Sequence, residues 1–307
     1  MTPENRHSEG ASGTAGEAPS FLSGHGKAAS LGIVLLIAAL AAFTLMDACA
    51  KLLTERYHPA QMIWARFAIN LALVSLVFRG RFLPLFRSRQ PHLQFGRGIM
   101  QVITITLYFI AIQSMGLAEA AILFDLNPVL ITLGAALFLG EHIGPRRIIG
   151  IAVAFLGALI ILRPGLSAFD PMGLVVVGSA LSYTVGNLLT RMVRQDALAT
   201  SIIWSASVGT VLSSLVLPFV WKEVALWDLP VFLAIGVLGT IGQVLVIRAF
   251  SLAEAGALAP IGYFGLVFSG FWGWVFFGHL PDQWTVIGAL VIVGAGIYVW
   301  YRERKAA

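Results

Sequence analysis

Apolar residues fall along this chain in ten long blocks separated by short polar breaks, at approximately residues 31–53, 61–79, 95–114, 119–139, 148–163, 172–191, 200–220, 229–250, 255–277 and 284–301. Most approach the roughly 20 residues that an apolar helix needs to cross the hydrocarbon core of a bilayer. The pattern predicts an all-α integral membrane protein with ten transmembrane helices. Spans three and four are separated only by the turn Gln113-Ser114-Met115-Gly116. Residues 1–30, rich in Gly, Ala and Ser with scattered charges, bury too little apolar surface to order themselves and read as a disordered tail. The block beginning at Leu31 runs through Asp47 into Leu53, longer than the apolar region of a signal peptide and without a small-residue cleavage pattern, so it reads as a span. Residues 302–307 form a second short tail.

Composition agrees and removes other classes. The chain is 58% hydrophobic and 11% charged, with a mean hydropathy of +0.86, against roughly 25% charged residues in a soluble domain. Ten spans leave connections of roughly eight residues each, too short for a soluble catalytic or nucleic-acid-binding domain. The 20 Lys+Arg outnumber the 15 Asp+Glu, but they fall between the apolar blocks, where they signal topology rather than a nucleic-acid partner. With the N-terminus cytoplasmic, fifteen basic residues collect on that side and only Arg56, Arg163 and Lys222 on the other, which predicts both termini inside. Lys51 and Arg66 are the two basic residues, both within spans, that are counted on neither side. Cys49 is the single cysteine and the six histidines lie in the tail, loops or span ends, so no disulfide, metal site or cofactor site is expected.

The sequence repeats itself weakly. Leu117-Ala118-Glu119-Ala120 returns as Leu252-Ala253-Glu254-Ala255 at an offset of 135, Lys51-Leu52-Leu53-Thr54 as Asn187-Leu188-Leu189-Thr190 at 136, Phe138-Leu139-Gly140 as Phe276-Phe277-Gly278 at 138, and Ile63-Trp64 as Ile203-Trp204 at 140. Four matches in order at a nearly constant offset predict two halves, residues 31–165 and 170–301. Each half holds five spans, an odd number, so the halves cross the membrane in opposite senses. Inverted repeats place a substrate site near the midplane, where they meet.

Five stretches stand out: Asp47-Ala48-Cys49-Ala50-Lys51-Leu52-Leu53, Trp64-Ala65-Arg66-Phe67, Leu117-Ala118-Glu119-Ala120 with Asn127-Pro128, Phe138-Leu139-Gly140-Glu141, and Ala259-Pro260-Ile261-Gly262-Tyr263. With them the chain resembles the drug/metabolite transporter superfamily, specifically its EamA-type ten-helix carriers. The resemblance implies a transporter of the bacterial inner membrane with a substrate of the amino-acid, S-adenosylmethionine or riboflavin-like class. The second half departs from the family pattern. Gly278-His279 stands where Gly-Glu usually recurs, and Gly262 stands where relatives carry a glutamate, so an acidic role at that position does not transfer.

A charge at the bilayer centre costs about 2.5–3.5 kcal/mol, so ionisable residues within spans need a partner, a cavity or a function. Asp47 and Lys51, four apart on one helix face, can pair; their repeat counterparts Tyr183 and Asn187 are also polar. Arg66, whose counterpart is near Ala206, either snorkels to the interface or presents its paired donors to Asp47 or to a substrate carboxylate. Asp125 and Asn127 precede Pro128, and Pro260 precedes Tyr263; both prolines are expected to break their helices at the cavity. Gln101, Tyr108 and Gln243 are either interhelical glue or ligand contacts. Trp64 and Trp204 either anchor at the interface or stack on a substrate in a symmetric cavity. Glu119 and Glu254 fit the first turns of their helices, where an acid complements the dipole.

These features predict a secondary transporter moving a small polar metabolite by alternating access, with Asp47 or Asp125 the candidate for proton coupling. The partners are the substrate, protons and the lipid bilayer, with no nucleic acid, and both a monomer and a homodimer fit. A channel or membrane scaffold is the alternative. No nucleophile elbow, His-Glu-x-x-His or second cysteine supports an enzyme.

Overall fold

The computed structural model describes residues 21–78, 83–127, 129–131, 133–134, 145–163, 170–193, 195–253 and 258–306. Regular structure among them is helical: α1 (Phe21–Leu53), α2 (Pro59–Phe78), α3 (Pro91–Ala111), α4 (Leu117–Phe124), α5 (Pro145–Leu162), α6 (Met172–Met192), α7 (Leu198–Val220), α8 (Leu229–Leu252), α9 (Phe264–Phe277) and α10 (Gln283–Ala306). Short 3-10 turns cover Leu83–Phe86 and Ala259–Tyr263. Among the described residues six helices are long and apolar enough to cross a membrane, and Ile148–Leu162, Ile261–Phe277 and Gln283–Tyr298 are shorter apolar helices. Leu156, Val211, Leu215, Phe219 and Val267 expose apolar side chains on the outside of the bundle, as a protein solvated by lipid does. The chain is a multi-pass membrane protein.

Three elements differ from the sequence expectation. α1 begins at Phe21, so residues 21–30 continue the helix instead of belonging to the tail. No proline interrupts the chain between Pro19 and Pro59, and nothing stops helix propagation from the apolar span outwards. The fourth span is not continuous: α4 ends at Phe124, Asp125 and Leu126 turn, and helical backbone resumes at Asn127. The ninth starts as a 3-10 turn over Ala259–Tyr263, with Pro260 in its first turn, before α9 takes over. Pro128, Glu254 and Phe138-Leu139-Gly140-Glu141 lie outside the described residues.

The packing repeats the order of the helices. α1 lies on α8 and α3 on α6; α2 meets both α7 and α8, and α3 meets α7; α1 also meets α9 and α4 meets α6; α5 pairs with α10 and α4 with α9. Advancing every label by five turns each of these pairs into itself or into another of the set. The match reaches individual atoms. A Cβ added to Gly98 of α3 would stand 2.8 Å from Cβ of Val208 on α7, and one added to Gly236 of α8 would stand 2.3 Å from Cβ of Ile69 on α2. Gly157 of α5 and Gly288 of α10 press on each other's carbonyl at 3.0 and 2.8 Å from the added Cβ. Small residues at these crossings let the backbones approach.

Polar contacts sort the connections into two ends. Lys51 bonds to the carbonyls of Ile112 and Met115, Arg56 to Asp228, Arg163 to Asp282, and Thr285 to Glu119. The α1–α2, α3–α4, α5–α6, α7–α8 and α9–α10 connections therefore share one end, here the first end. The α2–α3 and α6–α7 connections meet at the second end through Ser88, Arg89 and Asp196.

Candidate functional site

The two interrupted helices bring chemistry to the middle of the bundle. Asp125 caps α4, its backbone N–H donating to the carbonyl of Ala121 at the C-terminal turn. Tyr263 ends the 3-10 turn that precedes α9. Asp125 lies within electrostatic reach of Tyr108 on α3, Tyr183 on α6 and Tyr263, and Asp47 of α1 within reach of Tyr108 and of Arg66 on α2. Phe124 joins the rings, with centroids 5.3 Å from Tyr108 and 5.4 Å from Tyr183. Tyr183, mid-way along α6, keeps 42% of its surface accessible, and Asp47 and Asp125 are only half-buried. Tyr183, Asp47 and Asp125 are thus not closed off in packed core. Asn187 folds back one turn to the Tyr183 carbonyl at 2.9 Å. Gly296 of α10 supports Tyr263: a Cβ there would fall 1.6 Å from the Tyr263 hydroxyl oxygen.

A second polar site adjoins it where α2, α3, α7 and α8 cross. Arg66, Asn70, Gln101, Ser205, Ala206 and Gln243 are among the residues that line a cavity of ≈ 10 Å³, about the space of one water. Asn70 donates to Gln243 at 3.3 Å, while Asn70 Oδ1 and Ser205 Oγ are buried without a hydrogen-bond partner among the described residues. Arg66 and Ala206, matched by the repeat, both line this cavity from opposite halves.

Each end of the contact between the halves carries a polar latch. At the first end, buried Asp228 accepts from the Tyr57 hydroxyl at 2.8 Å and Arg56 Nη1 at 2.9 Å. Gln61 exchanges hydrogen bonds with the Lys222 backbone at 2.8 and 3.2 Å. At the second end, Asp196 accepts from Ser88, from Gln94 at 2.9 Å and from the Arg89 amide at 3.2 Å. Buried Arg97 donates to the Ser201 carbonyl at 2.6 Å. Hydrogen bonds from Gln94 and Ser88 hold the Asp196 carboxyl below the usual carboxylate range. At the first end burial pulls the Asp282 carboxyl up, but hydrogen bonds from Thr285 and Arg163 outweigh it and lower it to about 2. In both latches an aspartate of the second half is held by side chains of the first.

Residues 30–163 match the model of the EamA-like transporter family. Over 275 residues, 87% of this chain and 94% of the relative, the sequence is 33% identical to the pseudopaline exporter CntI of Pseudomonas aeruginosa. The chain belongs to the EamA-like transporter family. It is also 26% identical to the S-adenosylmethionine uptake transporter of Rickettsia bellii, over 91% of this chain and 97% of that one, and 28% identical to the riboflavin transporter of Rhizobium johnstonii, over 91% and 95%. A solved crystal structure covering 92% of this chain and 99% of its own shares the fold, with a TM-score of 0.63 at 19% identity.

Within this EamA-like bundle the residues singled out by sequence divide into three groups. Asp47, Tyr108, Asp125, Tyr183 and Tyr263 gather at the centre, and Arg66, Gln101 and Gln243 at the adjoining cavity. Lys51 does not pair with Asp47. It reaches the end of α3 instead, where Ile112 and Met115 offer unpaired helix-terminal carbonyls, and its Nζ lies 5.4 Å from the Phe277 ring. Trp64 and Trp204 do not share a cavity. Each sits near the start of its helix, and α2 and α7 run antiparallel, so Trp64 bonds to Ser214 at 2.9 Å and Trp204 to the Phe86 carbonyl at 3.2 Å, at opposite ends. Asn127 is buried with Oδ1 unpartnered, just past the α4 break. Asn70, Ser205 and the latch residues Tyr57, Asp228, Gln94 and Asp196 went unnoticed in the sequence. For the latches the signal was a polar residue on each side of a short connection, which is also what any loop provides.

Proposed function

We propose that this chain is a secondary transporter that moves a small polar metabolite across the bacterial inner membrane by alternating access. Its halves, residues 31–165 and 170–301, run in opposite senses, with the first end outside and both termini in the cytoplasm. The observation that carries the reading is the meeting of two interrupted helices, one from each half, at a charged and aromatic cluster. Broken helices at the interface of inverted repeats are how carriers expose polar groups to a substrate at membrane depth. With both latches made, the conformation is occluded. Release of the Tyr57–Asp228 latch opens the cluster outwards, and release of the Ser88–Asp196 latch opens it inwards.

In this reading Asp47, Asp125, Arg66, Tyr108, Tyr183 and Tyr263 contact the substrate, and Asp47 or Asp125 exchanges a proton. Lys51 acts by holding the end of α3. The named substrates of the relatives, pseudopaline, S-adenosylmethionine and riboflavin, support a metabolite of amino-acid, S-adenosylmethionine or riboflavin-like character. No chemistry is performed on it. The test is counterflow in proteoliposomes reconstituted with the purified chain and screened against such metabolites. Saturable exchange of unlabelled internal for labelled external substrate is expected; non-saturable conductance or a chemically altered product would overturn the reading.

A further inference from the structure

We infer that the Asp125 carboxylate, ringed by Tyr108, Phe124, Tyr183 and Tyr263, receives a positively charged centre of the substrate, so that the carrier selects metabolites bearing a compact cation. The inference rests on the transport reading above and narrows its substrate class.

Four observations carry it. Asp125 stands at the C-terminal cap of α4, where the helix dipole is negative and a carboxylate is least welcome. Among the described residues no basic side chain forms an ion pair with it. Its surroundings cannot balance the charge either. Of the basic side chains described within the helices, Arg66 interacts with Asp47, Lys51 is committed to the carbonyls ending α3, Arg97 donates to the Ser201 carbonyl at the second end, and Arg248 is exposed near the end of α8. Asp47 and Asp125 thus face a single guanidinium among the described residues, so with both carboxyls ionised the site lacks one positive charge. Finally, the rings around Asp125 are tilted against one another, at 64° between Tyr108 and Phe124 and 55° between Phe124 and Tyr183. Of these rings Tyr183 keeps 42% of its surface accessible, and an accessible ring beside a carboxylate attracts a cation electrostatically. A sulfonium, a quaternary ammonium or a guanidinium satisfies both the missing charge and the aromatic wall. Arg66 and Gln101, on the adjoining cavity, are placed for an anionic or amide group at the other end of such a molecule.

Gly296 gives the arrangement its depth. The Tyr263 hydroxyl occupies the space that any side chain at this position of α10 would fill, and Tyr263 lies within electrostatic reach of Asp125. Tyr263 is therefore a positioned wall of the cation site.

The test uses the full-length chain in nanodiscs and three pairs of probes that differ in charge at one centre: choline and 3,3-dimethylbutan-1-ol, S-adenosylmethionine and S-adenosylhomocysteine, arginine and citrulline. In at least one pair the cation binds about tenfold more tightly than its neutral partner, a difference of about 1.4 kcal/mol. Asp125→Asn abolishes the preference, Asp125→Glu retains it, and Tyr183→Leu weakens cation binding by about threefold or more while Tyr183→Phe does not. Equal binding within all three pairs, absence of binding by all three cations, or a preference that survives Asp125→Asn in a folded variant overturns the inference. If saturable counterflow of neutral or anionic metabolites persists alongside that result, the transport reading stands and only the cation site falls. If no metabolite exchanges at all, the transport reading itself falls.

Discussion

Replacing Asp228 by Ala removes the acceptor on which the first-end latch depends. Asp228 is 3% exposed and holds two donors. One is Arg56, whose side chain is 51% exposed, so that ion pair contributes only about 0.2–1 kcal/mol. The other is the Tyr57 hydroxyl, from a residue 6% exposed, and a buried hydrogen bond to a charged acceptor contributes about 1.5–3 kcal/mol. Tyr57 keeps the Ala225 amide as a donor to its oxygen at 3.0 Å, so part of its polar demand survives. The loss is therefore about 2 kcal/mol at the low end, and in the proposed alternating-access cycle it falls on the state closed at the first end. A bias of about 2 kcal/mol is about 30-fold in the ratio of closed to open first ends. Spin labels at Glu55→Cys and Glu223→Cys in a Cys49→Ser background sit on exposed positions on either side of the latch, and their distance distribution reads the opening directly. Asp228→Ala should add a longer-distance population at the expense of the short one, whereas Asp196→Ala should leave these labels close. An unchanged distribution in a folded Asp228→Ala variant would refute the latch.

Three further outcomes follow from the geometry. Gly296→Ala displaces Tyr263, because the added methyl overlaps its hydroxyl, and overpacking of this kind costs about 1–3 kcal/mol; transport should fall steeply and be restored in part by Tyr263→Phe, measured as initial uptake rate. Lys51→Met leaves the Ile112 and Met115 carbonyls without their donor, a loss of about 1–3 kcal/mol per unsatisfied group. It should lower the thermal midpoint while leaving the substrate affinity near its original value, which separates a role in holding α3 from one in binding. Acid should loosen the first end through Asp282. Its carboxyl is lowered to about 2 in the folded protein, so its stabilisation is complete above the ordinary carboxylate value and is lost as pH falls from about 4 towards about 2; thermal melts over that range should be steeper in pH for the native chain than for Asp282→Asn.

Much of this was written in the order of apolar blocks. The ten spans, the repeat offset and the matched glycine crossings follow from the distribution of apolar and small residues, because a helix crossing lipid must be apolar along its length. The centre was legible for the same reason. Asp47, Asp125 and Arg66 stood out as charges in apolar surroundings, and such charges require a purpose. Direction was not legible. Sequence spacing puts Asp47 and Lys51 on one helix face, but Lys51 is long enough to reach the unsatisfied carbonyls of a neighbouring helix, and that neighbour is unknown until the bundle is assembled. Trp64 and Trp204 mislead similarly, since residues related by an inverted repeat occupy equivalent places at opposite ends. The latches depend wholly on tertiary proximity, joining residues more than a hundred positions apart.

The central claim is that the cluster between the interrupted helices is where substrate binds. Counterflow measured side by side for the native chain, Asp47→Asn, Asp125→Asn and Arg66→Ala in proteoliposomes, with folding checked by thermal melting, tests it most directly. Saturable exchange is expected of the native chain, and its loss, or a change in apparent affinity of about tenfold or more, of each variant. Exchange that remains saturable at the native affinity and rate in all three folded variants would contradict the claim.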